Sequence, residues 1–131
     1  MLLTFSSESN QTLIGCGVDG ETVARFSRYV DHNNPLPMVF SRKEVEHIQT
    51  LSNKALGFCS SFCCKEAIYK ALGTPFNFTE CELFFIPGQQ LQRPVLSFSQ
   101  QNTLLVSDCT ASFFSPKKGE QVVVVHLFGG R

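Results

Sequence analysis

Five charged side chains fall in two short stretches: Asp19 and Glu21 in "IGCGVDGE", 14–21, and Lys65, Glu66 and Lys70 in "FCCKEAIYKAL", 62–72. Carboxylates converging from separate segments make a hard-cation site of the magnesium kind. That ion keeps several waters, takes one or two protein carboxylates and draws its other ligands from substrate phosphates. Lysines beside such a site suit the phosphates themselves. The chemistry that fits is transfer or hydrolysis at a phosphate. Each residue also has a plainer use. Asp19 or Glu21 would complement the N-terminus of a following helix, and Glu66 and Lys70, four positions apart, would form a surface pair worth roughly 0.2–0.5 kcal/mol.

The elements that must position these residues follow from hydrophobic spacing. "TLIGCGVD", 12–19, reads as a strand ending in a tight turn at Asp19–Gly20. Val23, Phe26 and Val30 lie at helical spacing in 20–30, and "DHNNPLP", 31–37, ends that helix. Ser41 with Glu44 three positions on predicts a capping box at the start of a helix over 40–51. From Gly57 to Leu72 the positions of Phe58, Phe62, Ala67, Ile68, Ala71 and Leu72 predict a third helix, stopped by "GTP" at 73–75. Strands are predicted at 80–88, 93–98, 102–109, 110–115 and 120–128, with "PKKG" a turn before the last. A strand, three helices and an antiparallel meander make an α+β domain, with helices on one face of an antiparallel sheet.

The chain has 131 residues, about one domain. Eleven Lys and Arg balance eleven Asp and Glu, so no global positive field draws nucleic acid or an anionic membrane. No apolar run reaches the roughly 18 residues that span a bilayer, and "MLLTFSSESNQ" has no basic region followed by a cleavage pattern. The expectation is a soluble, unprocessed, cytoplasmic protein. Six cysteines sit mostly among apolar neighbours and read as reduced core residues. A zinc site would use Cys59 and Cys63 with Cys64 or Cys81, but no second pair at metal-ligand spacing follows.

The two stretches, in this order, resemble the two signature motifs of the 4'-phosphopantetheinyl transferases, and "FSRKEVEHIQ" between them is similar to that family's intervening helix. The resemblance covers 13–72 well and the C-terminal strands in outline. It implies the family's α+β fold over a single domain, 1–131. It also implies magnesium-dependent transfer of the 4'-phosphopantetheine arm of coenzyme A to a serine of an acyl or peptidyl carrier protein, releasing 3',5'-ADP. Asp19 and Glu66 match the family's metal ligands, and Glu21 matches a third carboxylate used by one branch. Lys65 and Lys70 match lysines that approach the phosphates of coenzyme A, with Lys70 on the leaving side. Arg25 matches an arginine on the carrier-docking helix. Glu66 or Glu21 is the candidate for taking the serine proton.

The short length resembles the branch that assembles as a homotrimer, whereas the Asp19-Gly20-Glu21 spelling looks more like the long branch, so the branch stays open. Two departures stand out: Ser61 replaces an arginine of the short bacterial synthases, and "LLVSDCTASFF" lacks their histidine. His126, on an apolar strand, reads as packed. Gly20, where relatives carry a branched residue, loosens the chain beside Asp19. These departures motivate an alternative, a catalytically impaired relative that serves as a carrier-binding or interaction domain.

Overall fold

A computed structural model describes residues 12–31, 38–84, 89–93, 95–98 and 106–129. Strand β1, Thr12–Thr22, leads through a 3-10 turn, Val23–Phe26, into the short helix α1, Ser27–Asp31. Helix α2, Arg42–Ile48, and the long α3, Lys54–Leu72, follow. After a second 3-10 turn, Phe78–Glu80, come β2, Cys81–Phe84, β3, Leu91–Gln92, β4, Val95–Phe98, β5, Val106–Phe114, and β6, Glu120–Gly129. Four strands form an antiparallel sheet in the order β1-β6-β5-β3, and β2 and β4 pair separately. The domain is α+β as expected, but its strands do not form one meander.

The turn expected at Asp19–Gly20 does not form. Both residues lie inside β1, opposite Val123 and Val122 of β6. The ten residues of β6 offer an uninterrupted ladder, and pairing with it satisfies the backbone polar groups that a turn would leave open. The helix expected over 20–30 is accordingly cut to one 3-10 turn and five α-helical residues. Val23 N–H closes the end of β1 by donating to Gly119 O at 2.8 Å. The two strands expected at 102–109 and 110–115 are one strand, β5, which follows β6 past the expected break. The turn expected at 32–37, the ends of the predicted strands at 85–88 and 102–105, and the N-terminal stretch lie outside the described residues.

Helix α3 starts three residues earlier than predicted. Asn53 accepts from Leu56 N–H at 3.0 Å as its N-cap, and Gly73, in the left-handed region at φ 69°, ends it. The capping box of α2 forms as predicted: Ser41 Oγ accepts from Glu44 N–H at 3.2 Å, and Ser41 N–H donates to Glu44 Oε1 at 2.9 Å. The core lies between α3 and one face of the sheet, where Phe58, Cys63, Ala67 and Ile68 meet Val123, Val125, Leu127 and Ala111.

Candidate active site

The site begins with glycines. A Cβ on Gly15 would lie 2.2 Å from Ala71 O, and one on Gly17 2.0 Å from Ala67 O, so α3 rests directly on the backbone of β1. The small side chains of Cys59, Cys63, Ala67 and Ala71, spaced by four, line the approach. Strand alternation then puts Asp19 and Glu21 on the same side as Gly15 and Gly17. "GCGVDGE" thus places two carboxylates beside the helix that carries Glu66 and Lys70.

Lys70 Nζ donates to Asp19 Oδ1 at 3.0 Å and to Val18 O at 2.9 Å, so it pairs with Asp19. Asp19 is 15% exposed, and its Oδ2 is buried with no hydrogen-bond partner among the described residues. Desolvation first, then the charge of Asp19, raises the Glu66 carboxyl above its ordinary range; Lys70 opposes and Glu21 adds. Glu21 holds Arg25 Nη1 at 2.6 Å, and this hydrogen bond raises the guanidinium further. Arg25 itself is 62% exposed on the 3-10 turn after β1.

These observations test the implied cation. Asp19 already carries an ammonium on one oxygen and has its other oxygen buried and unspent, and Glu66 feels excess negative charge. The donors are all oxygen, which suits magnesium. Among the described residues no three His, Cys, Asp or Glu side chains gather closely enough to hold an ion. Glu21, the third carboxylate of the expected set, is engaged by Arg25 at 2.6 Å, while Glu66 feels the charge of Asp19.

Lys65 is the larger correction. Its side chain is 0% exposed, and Nζ donates to Glu44 Oε1 at 2.6 Å, Val39 O at 2.6 Å and Phe78 O at 2.7 Å. An ammonium has three N–H groups, and all three are used inside the protein. The side chain expected to approach a phosphate therefore points into the core with no donor left over. Glu44, also 0% exposed, accepts in addition from Leu83 N–H at 2.8 Å. Sequence reading took Glu44 only as a cap. The available signal was Lys65 itself, since a lysine on an apolar helix face needs a buried counter-charge.

The cysteines are mostly buried. All six are unpaired, and five are buried. Cys63, Cys64 and Cys81 are raised well beyond the ordinary thiol value, Cys63 first by a hydrogen bond with Cys59 and the other two by burial. Burial pushes Cys109 up to about 12. Thiols this resistant to ionisation are poor metal ligands, which agrees with the core reading. Ser61 is buried with its Oγ unpartnered among the described residues, and His126 is half-buried on β6 between Cys16 and Thr110.

The α+β scaffold thus seats Asp19, Glu66 and Lys70 where α3 meets β1. A sequence profile of the 4'-phosphopantetheinyl transferase superfamily matches residues 15–121, and the chain belongs to that superfamily of enzymes. It is 31% identical over 99 residues to a holo-[acyl-carrier-protein] synthase of Trichlorobacter lovleyi, covering 73% of this chain and 79% of the relative. It is 41% identical over 64 residues to the synthase of Geotalea daltonii, covering 47% of this chain and 51%, about half, of that relative. The fold matches the crystal structure of holo-ACP-synthase from Plasmodium yoelii with a TM-score of 0.69 at 19% identity, over 94% of this chain and 100% of that one. It also matches a holo-(acyl-carrier-protein) synthase from Bacillus anthracis in complex with CoA (3',5'-ADP), with a TM-score of 0.66 at 22% identity, over 90% and 98%. At these identities the structural likenesses establish the fold.

Proposed function

We propose that this chain, acting as a single domain over 1–131, transfers the 4'-phosphopantetheine group of coenzyme A to a serine of a carrier protein and releases 3',5'-ADP. The observation that carries the reading is the meeting of Asp19, Glu66 and Lys70 at the α3–β1 contact. Asp19 and Glu66 would hold magnesium, which when bound offsets charge on the diphosphate during the transfer. Lys70, 53% exposed, is free on its outer side to follow the leaving phosphate as negative charge develops there. Glu66 or Glu21 is the candidate base for the serine hydroxyl. Arg25 presents its exposed guanidinium to the acidic surface of a carrier.

Two further parts of the reading have physical support. The sheet face away from α3 carries Val18, Val122, Val124, Phe114 and Phe128, with Val18 and Phe114 exposed. An apolar face of this kind suits self-association, in keeping with a homotrimer. Six unpaired cysteines suit a reducing, cytoplasmic setting, and no described helix is long and apolar enough to cross a membrane. The test incubates the protein with coenzyme A, magnesium and an apo carrier protein and reads the carrier mass. A gain of one phosphopantetheine group, abolished by Asp19→Ala, is expected. No gain with several carriers, Asp19→Ala behaving identically, refutes the catalytic reading and leaves the carrier-binding one.

A further inference from the structure

The small side chains of Cys59, Cys63, Ala67 and Ala71 let α3 approach β1, and Phe58 and Ile68 anchor the helix in the core without a directional bond. At Lys65 a directional restraint is added, of charged hydrogen bonds rather than packing. Its three acceptors come from the chain before α2 at Val39, from α2 at Glu44 and from the turn after α3 at Phe78. Glu44 is itself fixed by Ser41 N–H and by Leu83 N–H of β2. Five backbone segments therefore converge on one buried ion pair.

Lys65 and Glu66 are consecutive, so any rotation that withdraws Lys65 from its acceptors swings Glu66 through the same angle. With side chains standing about 5–6 Å from a helix axis, a rotation of about 15° moves a tip by about 1.5 Å. Displacements of about 1 Å are enough to cost a site about 10²-fold. Buried ion pairs do not on average stabilise a fold more than apolar pairs of the same size. Directional control therefore explains this one better than stability does.

We propose that Glu44 and Lys65 form a positioning pair that fixes the rotation of α3 and so aims Glu66 at Asp19. Neither residue touches substrate, and the pair acts only through Glu66. The inference rests on the reading of Asp19 and Glu66 as the cation-holding carboxylates given above.

The test uses Mn2+ alone, followed by electron paramagnetic resonance on the full chain without coenzyme A, alongside urea unfolding. The double variant Glu44→Gln/Lys65→Met keeps side-chain size and removes both charges together. It is expected to fold with a lowered urea midpoint, because Val39 O and Phe78 O lose the Lys65 donor, and to bind Mn2+ about ten-fold more weakly, the size of effect seen when partners behind a metal ligand are lost. Native Mn2+ affinity in the folded double variant overturns the proposal. Should that variant not fold, Glu44→Asp decides, since it keeps the charge but shortens its reach by one methylene. Weakened Mn2+ binding by folded Glu44→Asp supports the pair, and native affinity overturns it. Asp19→Ala separates the two ideas: a native chain that binds no Mn2+, or binds it equally after Asp19→Ala, overturns the carboxylate reading and the proposal together.

Discussion

Gly17→Ala probes whether the site depends on the helix resting on bare backbone. The added methyl carbon would lie 2.0 Å from Ala67 O and 2.9 Å from its carbonyl carbon. Both are backbone atoms, so no rotamer change relieves the clash, and α3 must move as a body by about 1 Å or more to reach ordinary contact near 3.4 Å. That opens the packing beneath Cys63 and Ala67 and costs about 3 kcal/mol, the upper part of the range for overpacking. The same movement stretches the Lys70–Asp19 contact from 3.0 Å to about 4 Å, beyond hydrogen-bond length, and should lower turnover about 10²-fold. Gly20→Ala is the control in the same strand, because its Cβ would meet the Val122 side chain at 3.2 Å and Gln121 O at an ordinary 3.6 Å. It should change stability by less than about 1 kcal/mol. Urea unfolding and steady-state transfer assays on both variants read the outcome. A Gly17→Ala protein with native stability and native turnover would refute the account of how α3 seats the site.

Three other outcomes are expected. Lys70→Ala should nearly abolish transfer while shifting stability by about 1 kcal/mol, since Lys70 is half exposed although Asp19 is not; urea midpoint and turnover separate the effects. Lys65→Met alone strands the Glu44 charge in the core and should cost about 3–5 kcal/mol in the same unfolding experiment. Stability should also fall in alkali. The Cys109 thiol keeps its proton up to about 12 in the fold, whereas the unfolded chain releases it near the ordinary value of about 8.5. Its contribution is thus present at neutral pH and lost as pH rises between those values. Urea midpoints from pH 8 to 11 should decline, less steeply for Cys109→Ala; a flat profile would contradict the burial.

The helices were legible because their signals are local. Ser41 and Glu44 spell the capping box, and the apolar spacing from Phe58 to Leu72 spells α3. The strands were less legible, because pairing partners decide where they end. Nothing local to Asp19–Gly20 says that β6 will carry β1 through an apparent turn, and nothing local to Cys109–Thr110 says that β5 will continue. Asp19, Glu66 and Lys70 stand out in the sequence by residue type, and in the fold Lys70 pairs with Asp19 while Glu66 feels both charges. Lys65 was misread for a geometric reason. One step along a helix changes which way a side chain faces, and "KE" does not declare which of its two charges is interior until the neighbouring elements are placed.

The alternation of β1 has a practical side. Cys16 projects from the sheet face opposite the carboxylates and is the one exposed thiol of the six. A maleimide dye should therefore label the native chain once, on the sheet face opposite Asp19 and Glu21, and give a reporter for whatever meets that face.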